Sequence, residues 1–243
     1  MDRDVYARMD ALEDQHWWFA ARREIIASMI RTILPKGGSG ARILEAGCGS
    51  GGNIRMLQTF GSLKAFEFDD TARETAVRKS GIEIAPGALP HDLPFADESF
   101  DIIGIFDVLE HVESDVESLK ALSKRLAPEG KILVTVPAFP SLWSEHDVTH
   151  HHFRRYTRAS LKESAAKAGL KVSYASYYNF FLFPVAVATR ALKRLTGRKT
   201  PDDALPGAPV NGLLKRIFGF ERHLLGRMSL PVGLSLVAVL EPA

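Results

Sequence analysis

The chain has 243 residues, of which 46% are apolar and 25% charged, an ordinary globular composition that excludes a disordered or fibrous chain. Its 31 Lys and Arg stand against 29 Asp and Glu, too even a balance for a chain whose main task is coating nucleic acid. The single cysteine, Cys48, excludes an intrachain disulfide and a cysteine-based zinc cluster.

The length suits one α/β domain with an elaboration. The opening residues, MDRDVYARMDALEDQ, are polar and acidic, unlike a secretory signal or transit peptide. No apolar run is long enough to span a bilayer, so a cytoplasmic protein is expected, with peripheral membrane contact left open. Ile25, Met29 and Ile33 recur every four residues beside Ile26, Ile30 and Leu34, predicting a helix that Pro35 and Gly37-Gly38 end. Ahead of that stripe stand Trp17, Trp18, Phe19 and Arg22.

From residue 41 short apolar runs alternate with longer amphipathic ones. Strands are predicted over 42–46, 63–68, 82–85, 101–106, 131–136 and 171–177. Helices fit between most of them, as over 115–126, closed by Pro128 and Gly130. Such alternation implies a parallel sheet with helices on both faces. The tail differs. Residues 179–188 are strongly apolar, with Pro184 breaking the helical periodicity, and 190–199 turn basic. Residues 200–212 read as a loop, 213–227 as a second basic helix and 234–240 as a last apolar run. Aromatic and aliphatic residues flanked by basic ones suit an interfacial helix on anionic lipid, and equally a lid or a homodimer contact.

Residues 43–53, ILEAGCGSGGN, are a strand running into a glycine-rich turn and a helix. Glycine lets the backbone turn tightly and approach a ligand, with the next helix's N–H groups aimed at it. Gly47, Gly49 and Gly52 also satisfy the dinucleotide fingerprint. Glu45 separates the two cofactor classes. A carboxylate beside a pyrophosphate is repelled by about 4 kcal/mol at 4 Å and an effective dielectric near 20. An ammonium group is attracted instead, as at the methionine end of S-adenosyl-L-methionine. Glu67 closes the next strand, where a carboxylate can accept both ribose hydroxyls of an adenosine. Asp69 and Asp70 are nearby competitors, more simply read as helix N-terminal charges.

Here the chain resembles the class I S-adenosylmethionine-dependent methyltransferases. The segments that agree are LPFADESFD at 93–101, FDVLEHV at 106–112 and LAPEGK at 126–131, followed by LVTVP. The resemblance covers about residues 41 to 137. It extends to a bacterial-type subgroup through His16–Arg22, LWS-x-x-D at 142–147, HFRRY at 152–156 and LPVGLSL at 230–236. It implies an α/β, Rossmann-like fold of seven strands, mostly parallel, with helices on both faces and an antiparallel last strand. One methyltransferase domain is then divided into a helical lid at 1–38, a cofactor core at 41–178 and a helical insertion at 179–229. The last strand follows at 233–240.

The resemblance also implies that Glu45, Gly47, Gly49, Gly51, Glu67, Phe68 and Phe106 hold S-adenosyl-L-methionine, with Arg22 reaching its carboxylate. An acidic residue usual beside the adenine is replaced by Ala88. Adenine contacts then fall to backbone groups of Ala88 and Leu89, or to Asp92 reaching back.

Methyl transfer is an in-line displacement in which the protein mostly supplies proximity and orientation. A hydroxyl acceptor also needs a base. His111 follows the fourth strand at the ligand-binding edge of the sheet, as a base or as a loop brace. Residues 144–152 hold four histidines and two acids. His146 and His152 are candidate bases or substrate-orienting groups, or plain loop structure. The displacement needs no metal and none is expected. Arg154 and Arg155, followed by Tyr156, suit a phosphate or carboxylate on the acceptor, or a surface ion-pair cluster. Trp17 and Trp18 are lid or packing residues. The expected function is methyl transfer to a small-molecule acceptor, lipid-linked or anionic. A non-catalytic cofactor-binding module and an NAD(P) oxidoreductase are the alternatives.

Overall fold

The computed structural model describes residues 12–34, 40–196 and 205–243, without the side chains of 191 and 193–196. Pro35, Gly37 and Gly38, the start of the expected lid and the first part of the expected 200–212 loop lie outside the described residues. Seven strands form one sheet: β1 Ala41–Ala46, β2 Gly61–Glu67, β3 Ala85–Pro86, β4 Phe100–Phe106, β5 Leu126–Pro137, β6 Leu170–Tyr178 and β7 Ser235–Pro242. Their order is β3-β2-β1-β4-β5-β7-β6. The pairs from β3 to β5 are parallel, and β7 runs antiparallel between β5 and β6.

The helices are α1 Trp17–Ile33, α2 Ile54–Leu57, α3 Asp70–Ser80, α4 Asp115–Ser123, α5 Glu145–Thr149, α6 Arg158–Lys167, α7 Phe183–Thr196 and α8 Ala208–Phe220. They cover both faces of the sheet. Leu119 and Leu122 of α4 and Leu161 and Ala165 of α6 cluster with Leu44, Ile103 and Val134. On the opposite face Ile25, Ile26, Met29 and Ile30 of α1 join Phe218 of α8 over Ile43, Ile102 and Leu133. Alternate residues of the central strands therefore enter different cores, so these strands read in sequence as unbroken apolar runs.

Several expected boundaries move. β3 has two residues rather than 82–85, because it is the edge strand and Pro86 brings no N–H to a ladder. β5 starts at Leu126, not 131. Leu126 pairs with Phe100 and Lys131 with Ile102, so Pro128, Glu129 (φ 64°) and Gly130 form an irregularity within the strand instead of closing α4. Pro184 does not interrupt α7 but stands second in it, where a missing N–H costs nothing. Pro209 does the same in α8, which begins inside the expected loop at 200–212. α8 ends at Phe220 rather than 227, and Glu221–His223 make a 3-10 turn.

The segment between β6 and β7 is fastened by Glu221, which is fully buried. Its carboxylate accepts N–H bonds from Asn179 (2.7 Å), Phe180 (2.7 Å) and Phe181 (3.1 Å). Burial pushes this carboxyl up to about 7 against those bonds. Glu221→Ala leaves three N–H groups without their acceptor, at about 1–3 kcal/mol for each that stays buried. The expected result is a drop in Tm together with faster amide exchange at residues 179–181. Unchanged exchange there would show that water replaces the carboxylate.

Candidate active site

β1 delivers the chain into the glycine turn at the carboxyl edge of the sheet. Gly47, Gly49 and Gly51 have φ of 71°, 54° and 88°, a left-handed region that favours glycine. A Cβ on Gly47 would stand 2.9 Å from the Val108 side chain, whereas one on Gly49 would meet nothing within 4 Å. Gly49 therefore faces space open among the described residues, while Gly47 and Gly51 are tightly packed, a Cβ on Gly51 standing 3.1 Å from Ala76. Glu67 ends β2 and ties the two turns together. Its Oε2 accepts the Gly49 N–H at 2.8 Å and its Oε1 the Asp69 N–H at 3.0 Å. Burial raises the Glu67 carboxyl above its ordinary value while these N–H groups oppose it. Asp69 caps α3 by accepting the Ala72 N–H at 2.9 Å, the helix-terminal role. Phe68 is 77% exposed.

Glu45 is 1% exposed; its Oε1 accepts a bond from Asn53 Nδ2 at 2.8 Å and its Oε2 has no hydrogen-bond partner among the described residues. Burial pushes this carboxyl up to about 8, opposed by Asn53 and the Arg22 charge. Cys48 is buried and its thiol is pushed up by the same burial and by Glu45, which makes it a poor nucleophile. Glu13 covers the turn, accepting from Ser50 Oγ at 3.0 Å and pairing with Lys79. No periodic or compositional signal marks Glu13 in the sequence.

Arg22 of α1 is buried, ion-paired with Asp107 and hydrogen-bonded to Thr135 Oγ1 at 3.3 Å. Its guanidinium lies 5.2 Å from the Trp18 ring centre and 5.9 Å from that of Phe106. Trp17 packs edge-on against Phe218 of α8 at 5.8 Å, and its N–H donates to Asn211 Oδ1 at 2.9 Å. Past β3, the Ala88 N–H donates to the Asp92 carbonyl and Asp92 returns the bond, at 2.7 and 2.9 Å. The backbone groups of Ala88 are thus occupied within their own loop.

The second half of the site is a histidine cluster. Glu110 and His111 lie on a 3-10 turn, Leu109–His111, just after β4. His146 belongs to α5, and His150 and His152 follow it. The His111 and His152 rings are 4.5 Å apart, His146 and His150 3.9 Å, and His146 and His152 6.0 Å. Burial first, then neighbouring imidazoles, pushes His111 down to about 3 and His146 down to about 4, so both are neutral at pH 7. His152 Nδ1 meets Asp147 Oδ1 at 2.9 Å.

Asp147 is fully buried and holds this corner. It accepts two bonds from Arg155, Nε to Oδ1 at 2.7 Å and Nη2 to Oδ2 at 2.9 Å, and one from the Ser144 N–H at 2.8 Å. Burial alone would raise its carboxyl; the bonds from His152 and Arg155 win and hold it below the usual carboxylate range. Arg154 pairs with Asp115 at 3.0 Å, and the Tyr156 hydroxyl donates to the same carboxylate at 3.0 Å. The structure therefore gathers His111, His146 and His152, but commits Arg154, Arg155 and Tyr156 to bonds inside the chain. Ser144-x-x-Asp147 has the spacing of a capping box, and the structure contains that box. Asp107 and Glu110 lie in the FDVLEHV segment without a pattern that separates them from ordinary turn acids.

This sheet order, the glycine turn and an acid ending β2 define a class I S-adenosylmethionine-dependent methyltransferase fold, with S-adenosyl-L-methionine as the cofactor. A family model described as a methyltransferase domain matches residues 18–175, and the chain belongs to that family. A curated relative from Mycolicibacterium smegmatis, named "Probable S-adenosylmethionine-dependent methyltransferase", is 27% identical over 165 residues, 66% of this chain. The match spans 62% of that relative's length. The methyltransferase in a complex with the Trm112 activator from Haloferax volcanii aligns at TM-score 0.64 and 19% identity, covering 98% of this chain and 94% of that one. A phosphoethanolamine N-methyltransferase from Haemonchus contortus, bound to S-adenosylhomocysteine, aligns at 0.59 and 14%, covering 90% and 52%. At these identities the structural matches establish the fold. No helix among the described residues is long and apolar enough to cross a membrane.

Proposed function

We propose that this chain transfers the methyl group of S-adenosyl-L-methionine to a small, lipid-linked acceptor bound beside the histidine cluster. The observation that carries this reading is a glycine turn flanked by Glu45 and Glu67 on one side, with an imidazole held on Asp147 on the other. Glu67 receives the ribose hydroxyls on its remaining lone pairs, and the unpartnered Glu45 Oε2 receives the methionine ammonium. Gly47, Gly49 and Gly51 let the backbone approach, Phe68 and Leu89 cover the adenine, and Phe106 walls the methionine arm. Arg22 shares its charge between Asp107 and the methionine carboxylate, under the Trp18 ring.

His152 takes the acceptor's proton: Asp147 fixes the proton on Nδ1, so Nε2 presents a lone pair. His111 and His146, both neutral, orient the acceptor. The lipid-linked part of the reading rests on α7, α8 and the turn before α7, where Phe181, Val185, Val210, Leu213 and Phe220 are exposed, as are Lys215 and Arg216. Apolar residues flanked by cations suit an anionic lipid surface.

The test is label transfer from methyl-labelled S-adenosylmethionine into an extract of source cells, partitioned between organic and aqueous phases. Protein-dependent label is expected in the organic phase, reduced about 10²–10⁴-fold in His152→Ala with S-adenosylhomocysteine binding intact. Aqueous label would remove the lipid link, and binding without any transfer would make the chain a cofactor-dependent module.

A further inference from the structure

Glu110 is 1% exposed, and its Oε2 has no hydrogen-bond partner among the described residues. One of its carboxylate oxygens and one ring nitrogen each of His111 and His152 all lie within 4.8 Å of one another. The charges around them cancel in pairs: Arg22 with Asp107, Arg155 with Asp147, Arg154 with Asp115. Glu110 is left over. A buried carboxyl in that position lacks the cation that would make its ionised form favourable.

His152 is held by its Nδ1, which meets Asp147 Oδ1 at 2.9 Å. Such an outer bond fixes the tautomer and ring direction of a metal-bound histidine, leaving its Nε2 as a bare lone pair. We propose that Glu110, His111 and His152 bind a divalent ion of the zinc class. Two imidazoles with one carboxylate, and a fourth position open, are a ligand set of catalytic zinc sites, whereas magnesium and calcium want an all-oxygen shell. Bonds of about 2.0–2.1 Å require the three atoms to draw in to about 3.3 Å apart. The spacing of histidines within 144–152 does not reveal this set, because two of the three ligands come from the turn after β4.

Binding of the ion does not rest on the methyl-transfer reading; its consequence for turnover does. The ion occupies the His152 lone pair that would take the acceptor's proton, so loading of the site and proton transfer to His152 exclude each other. The test uses the full chain, stripped with chelator and titrated with cobalt(II) alone. One equivalent is expected to give the visible d–d bands of tetrahedral cobalt, bleached by zinc. His111→Ala and Glu110→Gln each weaken binding by at least about tenfold, and His146→Ala leaves the spectrum in place. Thermal melts of each variant show that it is folded. Absence of the bands at millimolar cobalt overturns the site. So do bands that survive His111→Ala but vanish with His146→Ala, since they place the ion on the other histidines.

Discussion

Replacing Glu45 by Gln is expected to make the cofactor-free protein more stable and the cofactor's hold on it weaker, both by amounts that depend on pH. The folded carboxyl titrates near about 8 because it is buried, while the ordinary value is 4.5. Between those limits the folded chain keeps a proton that the unfolded chain has released. Stability present at low pH is therefore lost as pH rises toward about 8. At roughly 1.4 kcal/mol per pH unit the penalty is on the order of several kcal/mol above about pH 8. Glutamine keeps the bond with Asn53 and does not titrate. The Tm of Glu45→Gln should thus exceed that of the wild type by a margin that is small near pH 5 and grows up to about pH 8.

Cofactor binding moves the other way. An ammonium placed at Oε2 makes the ionised carboxylate favourable, so at neutral pH the wild type should release a proton on binding S-adenosylhomocysteine. Calorimetric titrations in two buffers of different ionisation enthalpy read that release directly. Glu45→Gln should abolish it and weaken binding about tenfold or more, the loss of a hydrogen bond to a charged group. Equal heats in the two buffers for the wild type would mean that no ammonium docks on Glu45.

The second large effect is at Asp147. Arg155→Met removes the guanidinium that offsets a buried carboxylate, and breaking a buried pair from one side costs about 3–5 kcal/mol. For a chain of this size that is about 10 °C in Tm. Replacing both partners, Asp147→Leu with Arg155→Met, should recover part of the loss, since no charge is then left unpaired. It should not recover activity, because His152 loses the oxygen that sets its tautomer. Acid has the same target. Asp147 sits below its ordinary value in the folded chain, so its contribution is present above that value and lost as pH falls through the folded one. A double variant no more stable than the single would show that the pair was not the source of the cost.

The core of this fold was readable because parallel strands covered on both faces must be apolar at every position, and because a turn with three left-handed residues needs glycine. Glu67 was readable through its distance from that turn. What escaped prediction depends on partners far away in sequence. Arg22 was expected at the cofactor; that Asp107, just after β4, and Thr135, within β5, also hold it could not be read from the sequence. Arg155 stood open in sequence between an acceptor's anion and an ion-pair cluster, and only the fold places Asp147 against it. Pro184 and Pro209 carried the usual mark of a helix break, and only the surrounding helix shows that each lies in a first turn. Glu13, Glu110 and Glu221 have no local pattern at all; each is defined by what surrounds it.

The pairing of α1 with α8 bears on the order in which the molecule is made. Trp17 is bound to Asn211 and Glu24 to Arg222, partners 194 and 198 residues further along. The helix that carries Arg22 leaves the ribosome ahead of the sheet, yet the groups that fasten it emerge after the strands of the parallel sheet. A nascent chain can assemble β1 to β5 while its cover is still loose, and closure waits for residues beyond 220. Such long loops close slowly. Nascent chains halted before and after α8 should therefore differ sharply in protease cleavage near Trp17, far more than in cleavage of the central strands.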